Sequence, residues 1–124
     1  MEKSQLIESF EALFNVIKRL RGPGGCPWDI AQTPMSMRKS LLEEAYEAAD
    51  AIEEHHSTGQ KTEHVKEELG DILLNVLMIS YMYEQEGLFS TADIMKNLTE
   101  KLIRRHPHVF GETEGYEGPE SDKK

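Results

Sequence analysis

Apolar residues recur every three or four positions along most of this chain, which is the spacing of amphipathic α-helices. The first such segment covers residues 3–21, and three further segments predict helices at residues 36 to about 55, about 62–85 and about 91–106. The pattern therefore predicts an all-α fold, with one four-helix bundle-like protomer. The stripe of the first helix consists of Leu6, Ile7, Phe10, Leu13, Phe14, Ile17 and Leu20.

Glycine, proline and small polar residues mark the breaks between these segments. The Gly- and Pro-rich run at 21–27 ends helix one, because it removes both helical preference and backbone donors. Residues 28–35 are predicted to be irregular or to form a short turn, and Ser36 is predicted to be the N-cap of helix two. The later boundaries are predicted at residues 57–60, Gly87, Ser90 and Pro107.

Helices two and three differ in the width of their apolar surface. Helix three is apolar on nearly every face between Ile72 and Ile79, with Asn75 as the one interruption. Such a segment must be covered on all sides, which places it either at the centre of a bundle or in a subunit contact. Helix two has a narrower stripe of mostly small residues, which favours close approach of a neighbour: Leu41, Ala45, Ala48, Ala49 and Ile52.

Length and charge limit the possible architectures and partners. A chain of 124 residues can bury one core, so we expect a single domain over residues 1–111, followed by a flexible acidic tail over 112–124. Fourteen basic and 23 acidic residues give a net charge of −9. This balance disfavours a DNA or RNA duplex as partner, since the phosphate backbone requires a basic surface.

The sequence shows no pattern of a targeting signal, and it has too few cysteines for a disulfide or a thiolate metal site. No stretch approaches the roughly 20 apolar residues that span a membrane, and the amino terminus lacks a signal-peptide pattern. The single cysteine, Cys26, cannot form an internal disulfide or build a thiolate metal site by itself. We therefore expect a cytoplasmic protein that does not bind membranes.

Acidic residues inside the apolar runs of helices two and three are the strongest chemical signal. Glu44 and Glu47 point within about 60° of each other on helix two, and Glu68 and Asp71 do so on helix three. Four ionised carboxylates in a partly buried space repel one another, and a hard cation would resolve this conflict. All-oxygen ligation favours Mg²⁺, with Mn²⁺ as a possible substitute. Glu43 points away from the core and is a candidate to orient water or act as a base.

Each acid taken singly has an ordinary explanation as a solvated side chain. The combination is harder to dismiss, because Glu44 and Glu47 flank the core stripe, whereas solvated acids normally lie opposite it. Asp50, three residues after Glu47, is an additional candidate. A di-iron site is disfavoured, since only Glu53 and His56 show the Glu-x-x-His spacing of such bundles.

Three other residues could contact a nucleotide. Lys101 and Arg105 project from one side of helix four and could hold phosphate oxygens, or could simply pair with nearby acids. Trp28 could stack on a nucleobase, or could anchor its loop to the bundle. Met78 and Met82 are expected to fill the core.

Several segments together resemble the MazG-type nucleoside triphosphate pyrophosphohydrolases of the all-α NTP pyrophosphatase class. The resemblance covers residues 6–111 and is specific because the segments occur in the same order as in that family. They are Gly25-Cys26-Pro27-Trp28-Asp29, Gln32-Thr33, Leu42-Glu43-Glu44-Ala45-Tyr46-Glu47, Asp50-Ala51-Ile52, Glu68-Leu69-Gly70-Asp71 and the stretch from Lys101 to Phe110.

The resemblance implies Mg²⁺-dependent hydrolysis of a nucleoside triphosphate between its α and β phosphates, which releases a monophosphate and pyrophosphate. It also implies a homodimer or higher homo-oligomer of helical protomers, possible clearance of aberrant or excess nucleotides, and three groups of site residues. The metal ligands would be Glu44, Glu47, Glu68 and Asp71; the catalytic acids Glu43, Glu44 and Glu47; the substrate contacts Lys101, Arg105 and Trp28.

One alternative belongs to a different functional class. The chain could be a non-catalytic helical interaction module, in which the acids only keep the bundle soluble and residues 72–79 dock a partner. This alternative explains the apolar segment equally well, but it does not explain carboxylates beside the core stripe. The preferred base or sugar of a substrate is left open, with dUTP, dCTP and damaged nucleotides among the candidates.

Overall fold

The computed structural model describes residues 3–111, and these residues form six helices and no strand. Four long helices correspond to the four predicted segments and confirm the all-α prediction. Two short helices add to them. In chain order they are α1 (Lys3–Leu20), α2 (Pro27–Ala31), α3 (Pro34–Thr58), α4 (Thr62–Gln85), α5 (Thr91–Arg104) and α6 (Pro107–Phe110).

The start of α3 differs from the prediction. The N-cap is Thr33, whose side chain accepts a hydrogen bond from the Ser36 backbone N–H at 3.0 Å. The Ser36 hydroxyl in turn accepts one from the Thr33 N–H at 2.8 Å, which completes a capping box. The prediction of Ser36 as the cap was therefore wrong by three residues, because Pro34 is tolerated in the first helical turn. Residues 28–35 were predicted to be irregular or to form a short turn; the structure has a five-residue helix, α2, over Pro27–Ala31, and α3 already begins at Pro34.

The connection between α3 and α4 is short. Gly59 adopts a left-handed conformation at φ 71° and donates its N–H to the His55 carbonyl at 2.7 Å, so α3 extends to Thr58 rather than to about His55. Three residues then join the two helices, which lie side by side as a helical hairpin with extensive contact. The hairpin brings the acidic turns of both helices onto a common interface.

The hydrophobic core lies where α4 meets α1. Ile17 and Met82 are 0% and 1% exposed, and Leu77 and Met78 are buried beside them. Half-buried Phe10, Leu13, Met37 and Tyr81 pack around this cluster. The role of Met78 and Met82 as core residues is confirmed, and α4 contacts each of the other long helices.

The apolar surface of the hairpin is only partly covered within one protomer. Leu73 and Val76 remain 45% and 41% exposed, so the segment from 72 to 79 is not enclosed at the centre of a bundle. On α3, Ala48 and Ala51 are buried, whereas Ala45, Ala49 and Ile52 of the predicted stripe are exposed. Leu77 and Met78 of the same segment are buried in the core, and the prediction of a subunit contact stays untested.

The residues predicted to form an acidic tail, 112–124, lie outside the described residues, and that prediction stays untested. Among the helices of residues 3–111, none has the length and apolar character needed to cross a lipid bilayer.

Candidate metal centre and active site

Three carboxylates from the α3–α4 hairpin converge on one point. Glu44 of α3 and Glu68 and Asp71 of α4 each place an oxygen within 4.8 Å of the oxygens of the other two. Helical periodicity explains the convergence, since residues three apart on α4 share a face and that face is turned toward α3. We call Glu44, Glu68 and Asp71 the carboxylate cluster.

Burial and the neighbouring negative charges both act on the Glu44 carboxyl. Burial raises the pKa of the Glu44 carboxyl, and the negative charges of Asp71, Glu68, Glu47 and Glu43 raise this pKa further, in that order. A carboxyl whose pKa is raised on folding loses stabilisation as the pH rises through that pKa. Above the raised pKa, the ionised Glu44 carboxylate therefore opposes folding unless a counter-charge joins it.

The hydrogen bonding of the cluster is incomplete. Glu44 Oε1 and Glu68 Oε1 are both buried, and neither has a hydrogen-bond partner among the described residues. The other oxygen of Glu68 lies 3.9 Å from Nδ1 of His64, an ion pair that exists only when the imidazole is protonated. Buried acceptors without donors are uncommon in proteins and call for an explanation. A divalent cation with a preference for oxygen ligands fits both the donor set and the two orphaned atoms.

Comparison with known proteins agrees with this geometry. Residues 32–110 match the family model of the MazG nucleotide pyrophosphohydrolase domain, and this match includes the whole carboxylate cluster. The chain belongs to the MazG domain family.

Named relatives are similar over most of this chain. The nucleoside triphosphate pyrophosphohydrolase/pyrophosphatase MazG of Thermotoga maritima is 45% identical over 107 residues, which is 86% of this chain and 40% of the relative. The nucleoside triphosphate pyrophosphohydrolase of Escherichia coli K12 is 38% identical over 108 residues, 86% of this chain and 39% of the relative. The uncharacterized protein YabN of Bacillus subtilis is 45% identical over 109 residues, which is 88% of this chain and 21% of the relative. This chain thus spans about a fifth to two fifths of these relatives.

The other predicted acids of the MazG domain lie outside the cluster. Glu47 is exposed, and it is absent from the group of converging ligand oxygens found among residues 3–111. Glu43 is also exposed and lies 4.0 Å from Lys39, four residues earlier on the same helix. Both charges still reach the cluster, because they contribute to the raised pKa of Glu44. Asp50 lines a separate shallow cavity of about 410 Å³ with Glu54, Ser57 and His64 among its neighbours.

The two predicted phosphate contacts lie at the end of α5. Lys101 is half-buried and lines a cavity of about 450 Å³ beside Phe89, Asp93 and Leu98. Arg105 caps the C-terminus of α5, where its backbone N–H donates to the Lys101 and Ile103 carbonyls. The lining of this cavity contains no residue of the carboxylate cluster. Within one protomer, α5 packs on α4, which carries two of the three clustered acids.

Trp28 does not anchor its loop. The indole is 77% exposed on α2, so this alternative from the sequence is wrong. The anchor is Arg21, whose Nη1 donates to the carbonyls of Asp29 and Gln32, while its Nε donates to Gln85 Oε1 at 2.7 Å.

Arg21 is a residue that the sequence pattern missed. Its only sequence signal was a position at the end of helix one, where a basic side chain has many ordinary explanations. The clamp holds α2 beside Gln85, at the C-terminal end of α4. Gln85 is 14 residues beyond Asp71, which is roughly 21 Å along the helix axis. Trp28 therefore lies toward the opposite end of α4 from the carboxylate cluster.

The histidine next to Pro107 has a structural partner. His106 Nδ1 lies 2.7 Å from the Leu102 carbonyl oxygen, and because a carbonyl only accepts, this nitrogen is the donor. His106 therefore completes the end of α5, as its position in the sequence indicates.

Proposed function

We propose that this chain hydrolyses nucleoside triphosphates between the α and β phosphates, with Mg²⁺ as the natural cation and Mn²⁺ as a substitute, to give a monophosphate and pyrophosphate. Membership of the MazG family and the names of the relatives support this reaction class. The observation that carries the proposal is the convergence of three carboxylates, two of whose buried oxygens have no hydrogen-bond partner in the described part of the chain.

The residues of the cluster supply the metal site in this proposal. Glu44, Glu68 and Asp71 would hold the cation, and exposed Glu47 would complete the ligand set by a change of side-chain rotamer. Bound Mg²⁺ supplies Lewis-acid polarisation of phosphate oxygens and neutralises charge that develops on them. Without a cation, an acidic cluster of this kind would repel a nucleotide triphosphate.

Three acids of α3 have proposed roles as catalytic groups. Glu43 or Glu47 would orient the attacking water at the α-phosphorus and take up its proton, because both side chains are exposed to solvent beside Glu44. Glu44 would act as a ligand of the cation.

Substrate contacts are proposed outside the cluster. Lys101 and Arg105 would stabilise the charge of the departing pyrophosphate. Lys101 would act as a point charge, and Arg105 would donate bidentate hydrogen bonds from its guanidinium group. Trp28 is proposed as a nucleobase contact, since an exposed indole on a clamped helix offers a flat face for a base. Within one protomer this indole lies toward the C-terminal end of α4, so the proposal does not place it at the mouth of that protomer's own carboxylate cluster. The physiological role in this proposal is removal of aberrant or excess nucleotides inside the cell.

A homodimer or higher homo-oligomer is part of the proposal. Leu42, Tyr46 and Leu69 on the outer side of the hairpin are 61%, 74% and 50% exposed. Together with Leu73 and Val76 they leave the hairpin with more apolar surface than its neighbours cover, and exposed apolar patches of this kind mark protein contacts. Sedimentation analysis of the purified protein would measure the oligomeric state.

The decisive experiment is product analysis with a panel of nucleotides. The purified chain is incubated with Mg²⁺ and canonical or modified nucleoside triphosphates, and monophosphate, diphosphate, phosphate and pyrophosphate are resolved. The proposal predicts monophosphate and pyrophosphate in equal amounts. Diphosphate as the main product would contradict it, and the panel also reports the preferred base and sugar.

The exposure of Leu73, Leu74 and Val76 also favours a second candidate, a non-catalytic helical interaction module. Calorimetric titration with Mg²⁺ or Mn²⁺ separates the two candidates. The enzyme predicts stoichiometric cation binding, whereas the module predicts none, because its acids would only solubilise the surface.

A further inference from the structure

Asn75 is a buried polar residue that the proposed reaction leaves without a role. It lies on α4 one helical turn after Asp71, and its side chain is 5% exposed. Its Nδ2 donates to the Asp71 backbone carbonyl at 3.0 Å. Its Oδ1 is buried and has no hydrogen-bond partner among the described residues. The nitrogen of this amide therefore has a hydrogen-bond partner, whereas burial of its unpaired oxygen costs desolvation free energy.

The orientation of the amide follows from its contact with Asp71. A backbone carbonyl can only accept a hydrogen bond, so the nitrogen of Asn75 must face it and the oxygen must point elsewhere. Helical side chains lean toward the N-terminus of their helix, which places the Asn75 side chain over the turn that carries Asp71. On the helical wheel, Asn75 lies within about 40° of Asp71 and about 20° of Glu68.

We propose that Asn75 is a positioning residue of the carboxylate cluster: its Oδ1 accepts a hydrogen bond from a water molecule carried by the divalent cation that Glu44, Glu68 and Asp71 hold. The inference rests on the proposed function for the presence of the cation. Ionised carboxylates accept hydrogen bonds and donate none, so the cluster itself cannot satisfy an adjacent acceptor. The missing donor must therefore come from a group outside the cluster, which is either a water molecule or a group of a bound ligand.

Two ligands could bring an O–H or N–H donor to this oxygen. One is the cation, because Mg²⁺ and similar ions keep several of their water molecules when protein carboxylates bind them. The other is a hydroxyl or amino group of the nucleotide. Asn75 lies one helical turn after Asp71, on the face of α4 that carries the cluster. This position favours a water molecule of the cation as the donor. Residues around a metal that act through its ligands typically tune its affinity.

Metal titration of Asn75 variants tests the inference. Mn²⁺ alone is titrated into the full chain by calorimetry, without nucleotide. Asn75→Leu keeps a similar volume but removes the acceptor, and we expect its Mn²⁺ affinity to fall about 10-fold. Asn75→Asp restores an oxygen acceptor but cannot donate to the Asp71 carbonyl once ionised. We therefore expect Asn75→Asp to bind Mn²⁺ at least as tightly as the wild type.

The pair of variants separates positioning from packing. If Asn75 served only to donate a hydrogen bond to the Asp71 carbonyl, the Leu variant and the ionised Asp variant would both lose that bond. Both variants would then melt at a lower temperature, and neither would differ from the wild type in Mn²⁺ affinity. Ser80→Ala is the matched control. Ser80 is also a buried polar residue of α4, 4% exposed, and its Oγ donates to the Val76 carbonyl at 2.7 Å, but it lies nine residues beyond Asp71. Its loss should leave Mn²⁺ affinity unchanged.

Three results would overturn the inference in distinguishable ways. Equal Mn²⁺ affinity in wild type and Asn75→Leu, both with and without a nucleoside monophosphate, would remove any role in ligand binding. Weakening of Asn75→Leu only for the monophosphate would place the donor on the nucleotide instead of the water. No Mn²⁺ binding by the wild type would remove the proposed metal site along with the inference.

Discussion

The two halves of α4 carry opposite chemistry on the same helix. In the C-terminal half, Met78 and Met82 are 3% and 1% exposed and pack with Ile17 of α1 in the core. In the N-terminal half, Glu68 and Asp71 meet Glu44 of α3, and the approaching groups are charges of one sign. Seven residues separate Asp71 from Met78, roughly 10 Å along the axis.

The difference shows how the fold can maintain an unfavourable arrangement. Burial of the apolar half stabilises the helix packing, and this stabilisation holds the acids together against their repulsion. The unfavourable arrangement is visible in the raised pKa of Glu44 and in two carboxylate oxygens that lack a hydrogen-bond partner within residues 3–111. Changes in the acidic half should therefore affect ligand binding, whereas changes in the apolar half should affect stability.

The largest expected effect follows from removal of an acid. Glu44→Ala or Asp71→Ala should lower turnover of a nucleoside triphosphate by at least about 100-fold, because each would remove a charged metal ligand. Initial rates with Mg²⁺ measure the loss, and circular dichroism checks that helicity is retained. Glu63→Ala is the matched control, since Glu63 is an exposed acid of α4 paired with Lys66 at 2.8 Å. A folded Asp71→Ala with normal turnover would contradict the assignment.

A change in the apolar half should act on stability alone. Met82→Ala should lower the free energy of unfolding by about 2–5 kcal/mol, because it opens a cavity in the core. Urea denaturation measures this loss, and the Mn²⁺ affinity of the folded protein should stay constant. Met95, 43% exposed on α5, provides the control: Met95→Ala should cost less than about 0.5 kcal/mol. Equal losses from both changes would show that the core lies elsewhere.

Cation binding should offset the electrostatic repulsion within the carboxylate cluster. Mn²⁺ at a hundred times its Kd should stabilise the wild type by about 2.7 kcal/mol. Glu44→Gln should melt at a higher temperature than the wild type without metal, since it removes the group whose pKa the cluster raises. The same variant should gain little from Mn²⁺. A lower melting temperature for metal-free Glu44→Gln would mean that repulsion in the cluster is unimportant.

The smallest expected effect lies outside both halves, at the start of α5. Ser90→Ala should destabilise the protein by about 1 kcal/mol, because Ser90 Oγ accepts from the Asp93 N–H at 3.0 Å as the N-cap. The control is Thr99→Ala on the exposed side of α5, which should have little effect. Urea midpoints for the two variants provide the comparison, and equal midpoints would contradict the cap.

The same capping box predicts a pH dependence. Hydrogen bonds from the Ser90 backbone and side chain lower the pKa of the Asp93 carboxyl. The stabilisation that Asp93 contributes is therefore present above the ordinary carboxyl pKa of about 4 and is lost as the pH falls through the lowered value in the folded protein. Urea unfolding of wild type and Asp93→Asn should differ at pH 7 and converge in acid. A constant difference would contradict the pKa assignment.

The prediction of the helices succeeded where local pattern is sufficient. The bounds of α4, the cap at Ser90 and the core positions Met78 and Met82 all follow from periodicity and capping preference, which depend on neighbours within about four residues. The start of α3 was placed wrongly because Thr33 and Ser36 are both good caps, and the choice between them depends on Pro34 and the path of the preceding loop.

By itself, the sequence determined that this chain forms long amphipathic helices with same-face acids on two of them, since a helix fixes its own periodicity. Only the tertiary structure decided that Glu44 joins Glu68 and Asp71, that Arg21 clamps α2 to Gln85, and that the side-chain oxygen of Asn75 finds no donor within residues 3–111. These outcomes depend on how far each helix turns about its own axis when it packs. That rotation is set by contacts between segments distant in the chain, so no local pattern specifies it.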